Sequence, residues 1–314
     1  MATTEISWEA FEEQVERDPL TPTQVAWRRF RRHKMAMVGV GLLIGLFLYV
    51  TVGALLFSEE YANHVDLSLK LSPPSWEHPF GTDLTGRDIL ARTIYGGQIS
   101  IVIGVLAVIV SLVVGVLVGA IAGYYGGIID SILMRFTEAI LNMPSLLLLI
   151  LVAKFFGNRL PNYHILGRTV SGSVVIIILN LGMTSWMGLA RIVRANFLSL
   201  KEQEFVTAAR CVGVRNFSII FEHILPNTIA PITVSATLGV ATAILGEAYV
   251  SFLGMGVQPP TATWGNMLNQ AYHHLDTEPW MWFFPGTLIL LVVLAINFVG
   301  DGLRDALDPR ALAE

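Results

Sequence analysis

The sequence predicts an all-α membrane protein with six transmembrane helices and both termini in the cytoplasm, and three observations carry the prediction. Apolar residues make up 54% of the 314 and charged ones 14%, with a strongly positive mean hydropathy, too little polar surface to solvate a globular chain of this length. Six apolar runs, at residues 35–57, 99–123, 132–156, 170–189, 229–252 and 281–299, approach the roughly 20 residues a helix needs to cross a bilayer. With the N terminus inside, fourteen of the 20 Lys and Arg fall on inner segments and six on outer ones, the bias of the positive-inside rule. The net charge of −4 carries no nucleic-acid signal. The lone Cys211 excludes an internal disulfide or a cysteine pair for metal or redox work, and reads as a small packing residue.

Residues 1–34 form the inner N-terminal part. Ile6, Trp8, Phe11 and Val15 among Glu5, Glu9, Glu12, Glu13 and Glu16 read as a short acidic amphipathic helix. Asp18, Pro19, Thr21 and Pro22 break it, with Thr21 and Pro22 as N-cap and first turn of a second helix. That helix sets Trp27 and Phe30 among Arg28, Arg29, Arg31 and Arg32 and suits an interfacial position; the same charges also read as a basic flank that only sets topology. The first span, 35–57, is too long for a signal peptide and is read as an anchor. Its Gly39, Gly41 and Gly45 form a ridge where another helix can come close.

Residues 58–98 form an outer loop restricted by Pro73, Pro74, Trp76 and Pro79. Asp83, Arg87, Asp88 and Arg92, four or five apart, place alternating charge along one helical face, for contact with a partner or as an internal charge network. In the second span Gly115, Gly119 and Gly123 recur every four residues and predict tight helix packing. Arg135 and Glu138 are expected to pair at the inner end of the third span, and Pro144 after Asn142 to bend it. Asn180 in the fourth span either bonds a neighbouring helix or lines a path. Glu247 in the fifth has no local cation, so it lines a pathway or makes a buried interhelical hydrogen bond. His273, His274 and Asp276 lack a third ligand at helical spacing and read as a solvated loop. Residues 304–314 form an inner tail.

No catalytic residue, metal site or bound cofactor is expected, since the chain lacks a G-x-x-x-x-G-K-[ST] phosphate loop, an HExxH pair and any Cys/His ligand spacing. The unusual element is the inner segment 196–226, above all EFVTAARCVGVRNFSIIFEHILP from Glu204 to Pro226. Glu204 to Cys211 reads as a short helix whose Ala208 and Ala209 let a partner's backbone approach and whose Arg210 offers a charge. Gly213 then permits the left-handed turn that ends it. A second helical piece runs from Asn216 to His223, and Pro226 sits where the next helix starts. A helix-turn-helix presented in this way fits a groove in another protein; a solvated linker is the alternative reading.

This segment resembles the cytoplasmic EAA loop of binding-protein-dependent ATP-binding cassette importer permeases. Thr207, Ala208, Ala209, Gly213, Leu225 and Pro226 fall on its spacing, with Thr207 in place of the motif Glu and His223 in place of its Ile. Glu204, one turn earlier, stands in for the missing carboxylate. The variant EFVTAAR with HILPN is similar to the peptide branch of the family. So are HPFGTD from His78 to Asp83 with Gly86, Arg87, Asp88 and Arg92, the stretch EAYVSFLGMGVQPP from Glu247 to Pro260, and the C-terminal run from Gly300 to Arg310. The resemblance implies a type I ABC importer permease fold, in the C-type subunit of a dipeptide or oligopeptide (peptide/nickel) importer of the cell (inner/plasma) membrane. It implies a homologous permease subunit as partner, two ABC ATPase subunits that hydrolyse ATP with Mg, and an extracytoplasmic substrate-binding protein, in a lipid bilayer and without nucleic acid. Glu204 to Gly213 would be the coupling helix, and the permease core would span residues 99–303. Di- or oligopeptides are the expected substrate, with nickel, glutathione or oligosaccharide as alternatives inside the family. An ion-gradient-driven secondary transporter using Glu247 is the alternative from another class.

Overall fold

The computed structural model describes residues 21–156, 159–165 and 168–308. The acidic segment 6–15, Arg17 and Arg310 lie outside them. Among the described residues, five helices are long and apolar enough to cross a membrane, or six if one sharply bent pair counts as a single span.

α1 (Pro22–Arg32) opens on the expected Thr21–Pro22 start, and the cap is reciprocal: Gln24 N–H donates to Thr21 Oγ1, while Thr21 N–H donates to Gln24 Oε1. Its Phe30 is buried with Ala36 and Ala306, which pins α1 to the end of the last helix. α2 (Lys34–Leu56) follows at once, its first turn capped by His33 Nδ1. Of the predicted glycine ridge, Gly39 lies against the Ala295 carbonyl, but Gly41 and Gly45 face open space. The outer loop carries the short α3 (Glu59–Asn63), capped by Ser58.

α4 (Ile89–Tyr125) has 37 residues, about 56 Å at 1.5 Å per residue, nearly twice the hydrocarbon core of roughly 30 Å. It starts ten residues before the predicted span because Asp88 caps it, accepting from Ala91 N–H at 2.7 Å. Arg92, Thr93 and Gln98 lower the hydropathy of this first stretch without opposing helix. Gly115, Gly119 and Gly123 meet α7 (Ser173–Leu200) as predicted. A Cβ at Gly119 would fall 2.5 Å from the Ala190 carbonyl oxygen and 2.7 Å from Val193 Cβ. α7 is the most enclosed of the spanning helices.

The predicted third span is not one helix. α5 (Gly127–Leu141) and α6 (Ser145–Phe156) meet at 83° across Asn142 to Pro144, where proline supplies no N–H and pushes its predecessor out of the α region. The expected Arg135–Glu138 pair does not form among the described residues. Instead Asp130 on α5 pairs with Arg194 on α7, with Arg194 Nη2 to Asp130 Oδ2 at 2.6 Å. A small hairpin, β1 (Tyr163–Ile165) antiparallel to β2 (Arg168–Val170), takes the first residue of the predicted fourth span, so α7 begins at Ser173.

α8 (Glu204–Cys211) is followed by a helical stretch, α9 (Asn216–Phe252), in which a π turn at Ile219–Ile224 and a 3-10 turn at Leu225–Thr228 interrupt the α geometry. The expected separate piece ending at His223 is therefore the first part of the fifth span. α10 (Trp264–Ala271), capped by Thr263, and α11 (Trp280–Leu307) complete the chain. Trp264 is fully buried at the junction of α2, α4 and α9, and its Nε1–H donates to the Thr93 carbonyl at 2.8 Å.

Candidate functional site

On α8 the apolar positions Val206 and Ala209, three apart, turn inward onto Val193, Phe197, Ile219 and Ile224. Glu204, Thr207, Ala208, Arg210 and Cys211 are exposed. Ala209 thus packs within its own chain and offers no approach to a partner, and Cys211 is a surface residue, not a packing one. Thr207 Oγ1 donates back to the Gln203 carbonyl at 3.4 Å. Gly213 has φ +80. Its N–H donates to Arg210 O at 3.0 Å and Val214 N–H to Ala209 O at 3.1 Å, the pair of bonds that closes a helix through a left-handed residue. Two ties join the loop to the inner end of α4: Tyr124 Oη donates to Asn216 Oδ1 at 2.7 Å, and Arg210 lies 5.5 Å from the Tyr124 ring centroid. Leu225 packs against the same cluster, while Pro226 is exposed.

The motif spacing did not single out Phe205, Val212 and Phe217, large apolar side chains that stand exposed around this helix. Their signal was present in the sequence, since they fall off the inward stripe of Val206 and Ala209.

Between α4, α7 and α9 lies a cavity of about 310 Å³, lined by Ser111, Ser185, Gly188, Ser235, Gly239 and Thr242 among small apolar neighbours. Neither Asn180 nor Glu247 lines it. Asn180 Nδ2 donates to the Leu149 carbonyl at 2.8 Å and ties α7 to α6. Glu247 is fully buried and accepts from Ser100 Oγ on α4 at 3.1 Å and from Ser251 Oγ at 2.7 Å. The two serines in turn accept from Trp264 N–H at 3.3 Å and Val257 N–H at 3.1 Å. Of the two readings of Glu247, the geometry is that of the interhelical hydrogen bond: the carboxylate joins α4 and α9 and holds the turn into α10.

The outer charges do not alternate along a helix. Asp83 lies in a turn, and its carboxylate accepts from Thr85 N–H at 2.8 Å, Arg87 N–H at 3.1 Å and Arg87 Nε at 2.7 Å, with Arg92 Nε 3.7 Å away. Asp88 caps α4 and meets His78 Nδ1 at 2.8 Å. Arg92 Nη1 reaches Asn63 Oδ1 at 3.1 Å, and Arg87 Nη2 reaches Gln270 Oε1 at 3.2 Å. Asp83, Asp88 and Arg92 are all buried, so this is an internal brace that clips the outer loop to the tops of α4 and α10. Burial works to raise the Asp83 carboxyl, but Arg87, Arg92 and the N–H groups of Thr85 and Arg87 hold it below the usual carboxylate range. Gly86 is required here, because at φ +76 a Cβ would lie 1.7 Å from the Asp66 carbonyl oxygen. His274 pairs with Glu278 at 2.6 Å and His273 stacks edge-on against Tyr272. Among the described residues no three His, Cys, Asp or Glu side chains converge as a metal would need.

Comparison with known proteins adds the following. The family described as "Binding-protein-dependent transport system inner membrane component" matches residues 115–312, and the "N-terminal TM domain of oligopeptide transport permease C" matches residues 21–74. The dipeptide transport system permease protein DppC of Bacillus subtilis is 41% identical over 94% of this chain and 88% of its own. The oligopeptide transport system permease protein OppC of Escherichia coli K12 is 40% identical over 96% of each chain. Among solved structures, a chain from the inward-facing MetNI methionine ABC transporter aligns with a TM-score of 0.51 at 20% identity, over 68% of this chain and 94% of that one.

Proposed function

The chain belongs to the family of binding-protein-dependent transport system inner membrane components, and on that premise we propose that it is the peptide-importing permease subunit whose α8 couples ATP hydrolysis to the movement of its helices. It is a multi-pass membrane protein with the type I ABC importer permease fold. The observation that carries the substrate class is about 40% identity, over nearly the full length of both chains, to permeases of dipeptide and oligopeptide transport systems. In this reading the termini and the 196–226 segment face the cytoplasm. A homologous permease completes the pathway, two ATPase subunits bind and hydrolyse ATP with Mg, and an extracytoplasmic binding protein delivers substrate. The chain binds no cofactor and supplies no catalytic residue.

The local geometry supports α8 as the coupling helix. Its outward face of Glu204, Thr207, Ala208 and Arg210, flanked by exposed Phe205 and Val212, is mixed polar and apolar, as a groove-seated helix requires. Its inward face packs through Val206 and Ala209 on Val193 and Phe197 of α7 and on Ile219 and Ile224 of α9, and its Arg210 lies over the Tyr124 ring of α4. A push on α8 is therefore delivered to α7 and to the start of α9, and passes to α4 through the glycine seam that keeps α4 and α7 from sliding independently. The cavity that α4 and α7 share with α9 changes shape as these helices move, and the π turn at Ile219–Ile224, on which α8 packs, is a break in the regular hydrogen-bond ladder of α9. Asp83, Arg87, Asp88 and Arg92 support the outer surface from inside, and contact with the binding protein falls to the loop they shape.

Reconstitution of the chain with its partner permease, ATPase subunits and binding protein in proteoliposomes tests the reading. Uptake of labelled di- or oligopeptide should require ATP and vanish with a hydrolysis-dead ATPase subunit. Uptake by this chain alone under a proton gradient, or selective uptake of nickel, glutathione or oligosaccharide by the complex, would overturn it.

A further inference from the structure

The inner ends of α1 and α11 enclose a groove of about 380 Å³, lined by Thr23, Ala26, Trp27 and Phe30 on one side and Leu303 and Leu307 on the other. Its lining is almost wholly apolar, and Trp27 is 61% exposed there although its ring stacks on Phe30. α1 also presents Arg28, Arg31 and Arg32 to the surface, with Arg31 next to this stripe.

We propose that the acidic segment 5–16 of the same chain fills this groove, seating Trp8, Phe11 and Val15 against Trp27, Phe30 and Leu303. The pattern matches in three ways. Trp8, Phe11 and Val15 stand at i, i+3 and i+7, one stripe of a helix, and the groove positions Thr23, Ala26, Trp27 and Phe30 repeat the same spacing on α1. Each stripe covers eight residues, about 10 Å of helix from first to last, so the two are equal in length. At 100° per residue Glu5, Glu12 and Glu16 flank the first stripe and Arg31 flanks the second, which makes the pairing attractive in one register and orientation.

Connectivity agrees. Residues 17–20, with Pro19 among them, separate the segment from the Thr21 cap of α1, the length of link that joins two antiparallel helices. The match to the oligopeptide permease N-terminal domain begins at residue 21, directly after this link. Its docking would brace α1 and the last spanning helix together on one face of the membrane.

Two measurements on the assembled transporter test this. With Cys211→Ser to remove the native thiol, the pair Phe11→Cys and Leu303→Cys should form a disulfide within one chain under mild oxidation, identified by mass spectrometry. Its yield should drop between 0.1 and 1 M salt, as the Debye length falls from about 10 to about 3 Å. Independently, a Thr23→Cys thiol should react with maleimide at least about fivefold faster after deletion of residues 2–16, equivalent to about 1 kcal/mol of docking. A labelling rate unchanged by the deletion would mean that lipid fills the groove, and a disulfide joining two chains would mean that a second copy does; either result overturns the proposal.

Discussion

Replacing Gly213 isolates the turn that ends α8. Its φ of +80 lies in the left-handed region, and a Cβ built there meets nothing within 4 Å. Any penalty is thus a backbone penalty, about 1–2 kcal/mol for an ordinary L-residue and less for Asn, which tolerates that region. A change of that size shifts the population of the closed turn by a factor of about 5 to 30. Both terminating bonds, Gly213 N–H to Arg210 O and Val214 N–H to Ala209 O, would be lost together. In proteoliposomes holding the complete transporter, Gly213→Val should lose most peptide uptake per ATP hydrolysed, Gly213→Ala should lose less, and Gly213→Asn should stay close to the parent. Thermal stability of the membrane-embedded part should not move, because nothing packs on this residue. The reasoning fails if Gly213→Val couples normally. It fails equally if Asn is as harmful as Val, since side-chain bulk against the ATPase, and not the left-handed backbone, would then be deciding.

Gly119→Val should separate α4 from α7 and collapse the yield of folded protein, whereas Gly41→Ala should leave the melting temperature unchanged; size-exclusion profiles and thermal unfolding compare the two. Glu247→Gln can still accept from one serine and donate to the other, so ATP-driven uptake should persist, while Glu247→Ala strands both hydroxyls at a cost of about 1–3 kcal/mol. Uptake lost in a folded Glu247→Gln variant would point instead to proton coupling. Asp83→Ala leaves Arg92 buried without its counter-charge and should destabilise the protein by about 3–5 kcal/mol, read as a lower melting temperature. Since the folded state holds the Asp83 carboxyl below its ordinary 3.8, its contribution is complete above that pH and is lost as pH falls through the lowered value. The parent and Asp83→Ala stability curves should therefore run parallel from pH 5 to 8 and converge only in stronger acid.

Much of the proposed coupling site was legible because its requirements are local. A left-handed glycine, a short helix with small residues and a proline at the next start each depend on neighbours within a turn or two, so residues 204–226 could be read from spacing alone. The seam of Gly115, Gly119 and Gly123 was legible for the same reason. What was not legible was direction. Ala208 and Ala209 look equivalent in sequence, yet only Ala209 falls on the stripe that α7 and α9 cover.

Composition, the lengths of the apolar runs and the placement of Arg and Lys thus sufficed for a many-span α-helical membrane protein, because the bilayer imposes one constraint on every segment: backbone polar groups must be satisfied inside each helix. The partners of buried polar groups were decided only in three dimensions. Asp130 found Arg194 sixty-four residues away while Arg135 and Glu138 stayed apart, Glu247 found Ser100, and of the outer charges Asp83 closed on Arg87 and Arg92 while Asp88 met His78. Hydropathy along the chain cannot supply these pairings. A buried charge takes whichever counter-group the packing of distant helices brings within reach, and that choice exists only once the helices have met.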